Sequence, residues 1–247
     1  MPAHFSARGM FAALAGLSCL AVAGCAAGST AAVSADSQPG SPGPSGAPGG
    51  TPAVASTVIP AQLGNTWVYA LDSSVLGKGT ATARISAVRA VAGGQRATLA
   101  TSLRLAGSKV PFRFSSDFTL GADGSVTFAS TKFLGAKLAS ANVNWPSPAA
   151  LTPGHPQTTT VTGSFLGFKT TERVTITDVG PATITVPAGS YQATQLEQTA
   201  TGSTGSREVV KAWVVNGIGQ VKTVTTVTVK GVRQVSSVET LTSFTKG

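Results

Sequence analysis

Gln95-Arg96-Ala97-Thr98-Leu99-Ala100-Thr101-Ser102-Leu103-Arg104-Leu105 decides the fold class. Successive side chains of an extended chain point to opposite faces. Ala97, Leu99, Leu103 and Leu105 therefore share one face, and Arg96, Thr98 and Arg104 the other. The same alternation continues outward on both sides. Val110, Phe112 and Phe114 alternate with Pro111 and Arg113, and Phe118 with Leu120 resumes the pattern. Further runs are Ser125 to Ser130, Phe168 to Asp178, Ala182 to Val186, Tyr191 to Ala200, Glu208 to Val215, Val221 to Val229 and Val232 to Thr242. Between them stand turn signals such as Ala92-Gly93-Gly94, Asp123-Gly124, Pro187-Ala188-Gly189, Asn216-Gly217 and Lys230-Gly231. No stretch has a convincing 3.6-residue period. The expectation is an all-β domain: a single antiparallel, meandering sheet of about ten strands, curved into a half-barrel or barrel so that its edges are managed. Leu138 to Gln157, with Trp145 and four prolines, is expected to be the one long irregular connection.

Upstream of Ile59 the pattern stops. From Ala26 to Val58 there are 33 residues, of which 28 are Ala, Gly, Ser, Thr or Pro. Such a segment has no apolar face to bury, so ordering it costs entropy with little return. It reads as a spacer spanning roughly 30 Å as a flexible coil. Before it, Arg8 precedes a 14-residue apolar run from Met10 to Ala23, too short for a membrane span and suited to an export signal. The run ends in Val22-Ala23-Gly24-Cys25, which resembles the lipobox of bacterial lipoproteins, where the cysteine thiol receives a diacylglyceryl group and becomes the new amino terminus. Ala21-Val22-Ala23 also offers an ordinary secretory cleavage site. Cysteine counting favours lipidation, because Cys19 leaves with the signal and ordinary cleavage would strand Cys25 as a lone thiol. The expected organisation is a lipoprotein signal, 1–24; lipidated Cys25 with a tether, 25–58; and one β-domain, 59–247. The protein is then held at the outer face of the cytoplasmic membrane of a Gram-positive envelope, or secreted if it is not lipidated. The Ala/Gly-rich composition associates it with a high-GC actinobacterium.

Charged residues are 11% of the chain, less than half the usual quarter, which disfavours charged helical bundles and coiled coils. Two cysteines and two histidines leave no multi-disulfide scaffold and almost no means of holding zinc. The net charge of +9 is uneven. Lys78, Arg84, Arg89, Arg96, Arg104, Lys109, Arg113, Lys132 and Lys137 face only Asp117 and Asp123 between residues 78 and 137. If the early strands are neighbours, Arg84, Arg96, Arg104 and Arg113 form one positive sheet surface. That surface is either a solvated face or a contact for anionic lipid headgroups or envelope polymers. Nucleic acid is a poor partner, since export removes it and no aromatics interleave the basic positions.

Three short motifs carry a resemblance. Pro60-Ala61-Gln62-Leu63-Gly64-Asn65-Thr66-Trp67-Val68-Tyr69 resembles the opening strand of a group of bacterial exported β-domains. Val186-Pro187-Ala188-Gly189-Ser190-Tyr191 is similar to that group's central turn, and Trp213 to Lys222 to its Gly-x-Gly hairpin. The motifs span nearly all of 59–247. The resemblance implies a sheet like those of the LolA-type and LppX-type lipoprotein carriers, whose half-barrels hold lipids or acyl chains. The chain departs from that pattern in having no well-supported helix to plug the half-barrel. Trp67, Tyr69, Tyr191 and Trp213 are expected to be fold determinants.

Few residues suit catalysis. His155 sits between prolines in a loop, and there is no Gly-x-Ser-x-Gly elbow, no His-Glu-x-x-His and no reactive thiol beside Cys25. Gly217-Ile218-Gly219 lies between two strands with no helix after it, so it is a hairpin turn and not a dinucleotide fingerprint. The sequence points away from an enzyme and calls for no cofactor or metal. Phe112, Phe114, Phe118, Phe128 and Phe133 cluster within a short span. In a closed sheet they are core; in an open one they line an apolar cup for an acyl chain. The leading expectation is a non-catalytic, membrane-anchored module that binds a lipid or other amphiphile. The alternative is a structural or accessory envelope protein whose sheet docks another protein.

Overall fold

The computed structural model describes residues 59–133, 136–147, 150–165, 168–202, 206–228 and 235–247. The signal, Cys25 and the tether lie outside the described residues. The twelve strands are β1 (Thr66–Ser73), β2 (Gly77–Val91), β3 (Gly94–Leu105), β4 (Phe112–Gly121), β5 (Val126–Phe133), β6 (Ala136–Trp145), β7 (Gln157–Phe165), β8 (Phe168–Val186), β9 (Gly189–Gly202), β10 (Arg207–Val215), β11 (Gly219–Thr228) and β12 (Val235–Thr245). Among the described residues there is no α-helix. Every strand pairs antiparallel with the next, and β12 returns to pair with β1, so the ladder runs round a single ring. The join between β6 and β7 is thin: Ala139, Ser140 and Ala141 pair with Phe165, Ser164 and Gly163, and the two strands part beyond them. The architecture is thus the curved antiparallel sheet expected, lying between a half-barrel and a barrel.

One expectation is corrected. β6 takes the first part, up to Trp145, of what the sequence suggests is an irregular connection, Leu138 to Gln157, and the loop runs only from Pro146 to Pro156. Ala-Lys-Leu-Ala-Ser-Ala-Asn-Val-Asn-Trp has little apolar alternation of its own. The ladder to β5, in which Val126 faces Trp145 and Phe128 faces Val143, makes it a strand. Local propensity yields here to the partner.

Alternation places one face of each strand inside. Trp67, Tyr69 and Leu71 on β1, Ala81, Ala83 and Ile85 on β2, Phe118 and Leu120 on β4, and Val174 and Ile176 on β8 are all buried. Each fully buried Ile, Leu or Phe contributes about 1.5–3 kcal/mol. One extra residue stands at Ser86 in β2, Ala129 in β5, Val179 in β8, Val221 in β11 and Thr242 in β12, and β6 shifts register twice against β5. Each such bulge bends its strand and increases local twist, which is what a closing sheet requires. It also reverses the inside–outside parity beyond it, so on β5 the residues facing inward are Val126 and Phe128 and then Thr131 and Phe133. The outward positions of β3 and β4 are Arg96, Thr98, Ala100, Ser102, Arg104, Arg113, Ser115, Asp117 and Thr119, not the apolar belt of a lipid-facing barrel. No helix of the described residues is long and apolar enough to cross a membrane.

The three motifs meet at one end of the ring. Asn65 is buried; its Nδ2 donates to the Pro60 carbonyl (2.7 Å) and its Oδ1 accepts from the Gly247 N–H (3.0 Å), tying the start of the domain to the chain's last residue. Gly64 must be glycine there: its φ is 90° and a Cβ would meet the Gly247 Cα at 2.9 Å. Trp67 Nε1 donates to the Ile218 carbonyl (2.6 Å) and Tyr69 Oη to the Gln220 carbonyl (2.9 Å), so the opening strand is bonded to the Gly-x-Gly hairpin. Tyr191 Oη donates to the Ala188 carbonyl (2.9 Å), and the Ala188 N–H reaches the Leu241 carbonyl (3.2 Å), which pins the β8–β9 turn onto β12. Trp213 differs from the other three. It is half-buried on the outward side, with Lys222 Nζ 5.4 Å from its ring centroid. With Leu151 of the β6–β7 loop and Ala61 also buried, this end is sealed by side chains and turns.

Trp67→Ala should lower the unfolding free energy by about 3–5 kcal/mol. Tyr69→Phe, which removes the buried hydrogen bond to the Gln220 carbonyl, should cost about 1–3 kcal/mol. Urea denaturation of both variants checks the pair, and a Trp67→Ala midpoint equal to the parent's would show that the aromatic is not a fold determinant.

Candidate functional site

The five phenylalanines separate into two groups. Phe118 and Phe128 are 1% and 7% exposed, tilted against each other at 5.8 Å between ring centroids, and belong to the closed core. Phe112, Phe114 and Phe133 lie beyond them toward the opposite end from the sealed one. Phe133 sits 6.4 Å from Phe112 and 5.1 Å from Phe114, and Phe112 is 41% exposed. The Ala129 bulge brings Phe133 onto the same inward face as Phe114. Between the groups, Ser116 and Thr131 share a hydroxyl hydrogen bond of 3.1 Å. Val110 and Val75, in the loops that turn at this same end, are also exposed. Among the described residues this end carries an apolar lip of Val75, Val110 and Phe112, backed by the half-buried rings of Phe114 and Phe133 and then by a small polar step.

The four arginines expected to make a positive surface do share the outer wall. Arg84 on β2, Arg96 and Arg104 on β3 and Arg113 on β4 each neighbour a buried or inward residue in sequence and therefore point outward. Lys132 on β5 joins them, its register partner being Ser115. Against them stands Asp117, whose Oδ2 lies 3.8 Å from both Arg96 and Lys132 and whose Oδ1 accepts the Thr98 hydroxyl at 2.7 Å. Exposed pairs this long contribute little stability; the surface remains a field of positive charge.

The interior holds polar groups that sequence reasoning passed over. Glu239 is 3% exposed and faces Leu71 of β1 and Thr223 of β11. Burial pushes its carboxyl up to about 8, so it is protonated at neutral pH. Tyr69 nearby is pushed well above its ordinary value, first by burial and then by the Glu239 charge. Glu239 Oε2, Gln198 Oε1, both side-chain polar atoms of Gln220 and the Trp145 Nε1 are buried without a hydrogen-bond partner among the described residues. The signal for Glu239 was available: it stands two residues from Leu241, and period two puts both on one face.

The remaining titratable groups offer little chemistry. His155 is exposed in the β6–β7 loop. Asp123 closes the β4–β5 turn by accepting both the N–H and the hydroxyl of Ser125, which hold its carboxyl below the ordinary range. Among the described residues no three His, Cys, Asp or Glu side chains are grouped so as to hold a metal ion.

No family model matches the chain, and no curated protein does. Solved structures do. A presumed lipoprotein from Parabacteroides distasonis shares 12% identity and a TM-score of 0.53, covering 77% of this chain and 99% of its own. A presumed exported protein with a YmcC-like fold, from Bacteroides fragilis, shares 14% identity and a TM-score of 0.53, covering 77% of this chain and all of its own. The hypothetical lipoprotein YmcC from Escherichia coli is more distant, at 10% identity and a TM-score of 0.36. At these identities the likeness carries the architecture. The fold is one that a presumed lipoprotein and a presumed exported protein also take.

Glu239 gives a pH signature. Its folded-state value lies above the ordinary 4.5, so its favourable protonated burial is complete below about pH 4.5 and is lost as the pH rises toward about 8. Stability of the parent should fall across that window, and Glu239→Gln should flatten the fall. Urea midpoints at pH 5 and pH 8 measure it; parallel losses in parent and variant would remove Glu239 as the cause.

Proposed function

We propose that this is a lipid-anchored, non-catalytic envelope protein whose β-domain takes the apolar tail of a lipid or other amphiphile at the end that carries Phe112. The observation that carries the reading is the Phe112–Phe133–Phe114 trio, which runs from an exposed ring at the lip to half-buried rings behind it. Two further features support it. Twelve strands enclose a wider interior than the eight that side chains alone can fill. Several inward positions are also small, among them Ala81, Ala83, Ala97 and Ala212. The resemblance to the LolA-type and LppX-type carriers points the same way, with the departure that no helix plugs the sheet among the described residues. Cys25 would supply the anchor, with two or three acyl chains sufficing for stable membrane attachment. Its tether joins the domain at Ile59, at the end where the termini meet.

Two measurements test this. Cys25→Ala should release the protein into the medium or leave it unprocessed; unchanged size and membrane retention would remove the anchor. Native mass spectrometry of the released Cys25→Ala chain should then show co-purifying lipid, and adding Phe112→Asp, at the exposed ring, should strip it with little change in melting temperature. Protein that is repeatedly clean would leave Val110 and Phe112 as a docking face for another protein, the accessory role.

A further inference from the structure

A cleft of about 250 Å³ opens on the outer wall, lined by Ala87, Val88, Arg89, Arg96, Thr98 and Asp117. It lies beside the bulge at Ser86, which shifts the register of β2 so that Arg89 stands directly opposite Arg96 of β3. Like charges facing each other across a ladder repel, and nothing nearby neutralises both. Asp117 divides its charge between Arg96 and Lys132, each 3.8 Å away, and also takes the Thr98 hydroxyl. Among the described residues no carboxylate lies within ion-pair distance of Arg89. The cleft and its edge therefore hold three cations against one carboxylate, a surplus of two positive charges.

Two guanidinium forks on one cleft match a tetrahedral oxyanion, which each can grip through paired N–H donors. The volume is below the roughly 300–1,000 Å³ of sites for drug-sized ligands, so a phosphate with a small substituent fits and a long polymer does not. We propose that this cleft binds a phosphate ester between Arg89 and Arg96, with Asp117 holding Arg96 in place and the Ala87 methyl giving the substituent a small apolar contact. The site is on the outside of the ring and does not depend on the interior reading. Such an ester comes either as the headgroup of an anionic phospholipid or as a free small molecule.

The full chain carrying Cys25→Ala, so that its own lipid plays no part, is titrated calorimetrically with glycerol 3-phosphate. Arg89→Ala and Arg96→Ala should each weaken binding by about tenfold or more, the loss expected for a charged hydrogen bond. Arg89→Lys should weaken it less. Arg104→Ala, on the same wall but outside the cleft, should stay within about twofold of the parent. Binding indifferent to Arg89→Ala, or lost equally in Arg104→Ala, would overturn the cleft in favour of a diffuse field, and no binding at all would overturn it outright. Vesicles of phosphatidylglycerol in phosphatidylcholine assign the source. Vesicle binding that falls with Arg89→Ala makes the ligand a lipid headgroup. Vesicle binding that ignores the substitution, while glycerol 3-phosphate binding is lost, makes it the free ester.

Discussion

Trp67 and Tyr69 donate to the carbonyls of Ile218 and Gln220, bonds that join residues 151 positions apart, and the pairing of β1 with β12 runs beside them. Without that junction the chain would be an open meander with two long unpaired edges, each a template for aggregation. With it, the first and last strands share a ladder and no edge remains there. Loop closure over such a span grows only slowly with length, so the thermodynamic cost is modest, while the many non-local contacts imply slow folding. The Asn65 clamp on Gly247 acts at the same place, and it explains why a Gly-Asn pair opens the domain: one residue supplies the positive φ and the other satisfies two backbone groups.

Closure divides the molecule into unlike ends. The turns, the termini and the β6–β7 loop gather at one end and bury Ala61, Leu151 and Val186. At the other, Val75, Val110 and Phe112 remain in contact with solvent. The polarity is a consequence of strand count and connection: an even ring of hairpins puts alternate turns at alternate ends, and among the described residues the aromatic staples lie in one set. The outer wall adds a third environment, where Asp117 stands among the cations of β2 to β5. A ligand tail at the lip and a phosphate on the wall would occupy separate surfaces, each with its own chemistry.

The interior is the less ordinary part. Apolar burial drives the ring shut, yet it takes inside a protonated Glu239, Thr223, Thr225 and Gln220. Polar groups buried without partners cost stability, and a closed ring keeps them only because period two leaves no other place for them. Moving Glu239 outward would carry Leu241, which is fully buried, into solvent with it.

Period two in the Gln95–Leu105 stretch, the Gly- and Pro-marked turns and the lack of helical spacing determined an all-β antiparallel domain by themselves, because alternation is a local property of the backbone. Alternation also gave the faces of Arg96, Arg104 and Arg113, and grouped them with Arg84 as one surface on the condition that the early strands are neighbours. Three things were decided by tertiary structure alone. β6 owes its existence to β5, not to its own residues. The bulges at Ser86 and Ala129 reset parity at positions that no turn residue marks, and so brought Arg89 opposite Arg96 and Phe133 beside Phe114. The five phenylalanines looked alike in sequence, but strand pairing put Phe118 and Phe128 in the core and left Phe112 at the lip. Burial depends on what lies across the ring, and no local pattern encodes that.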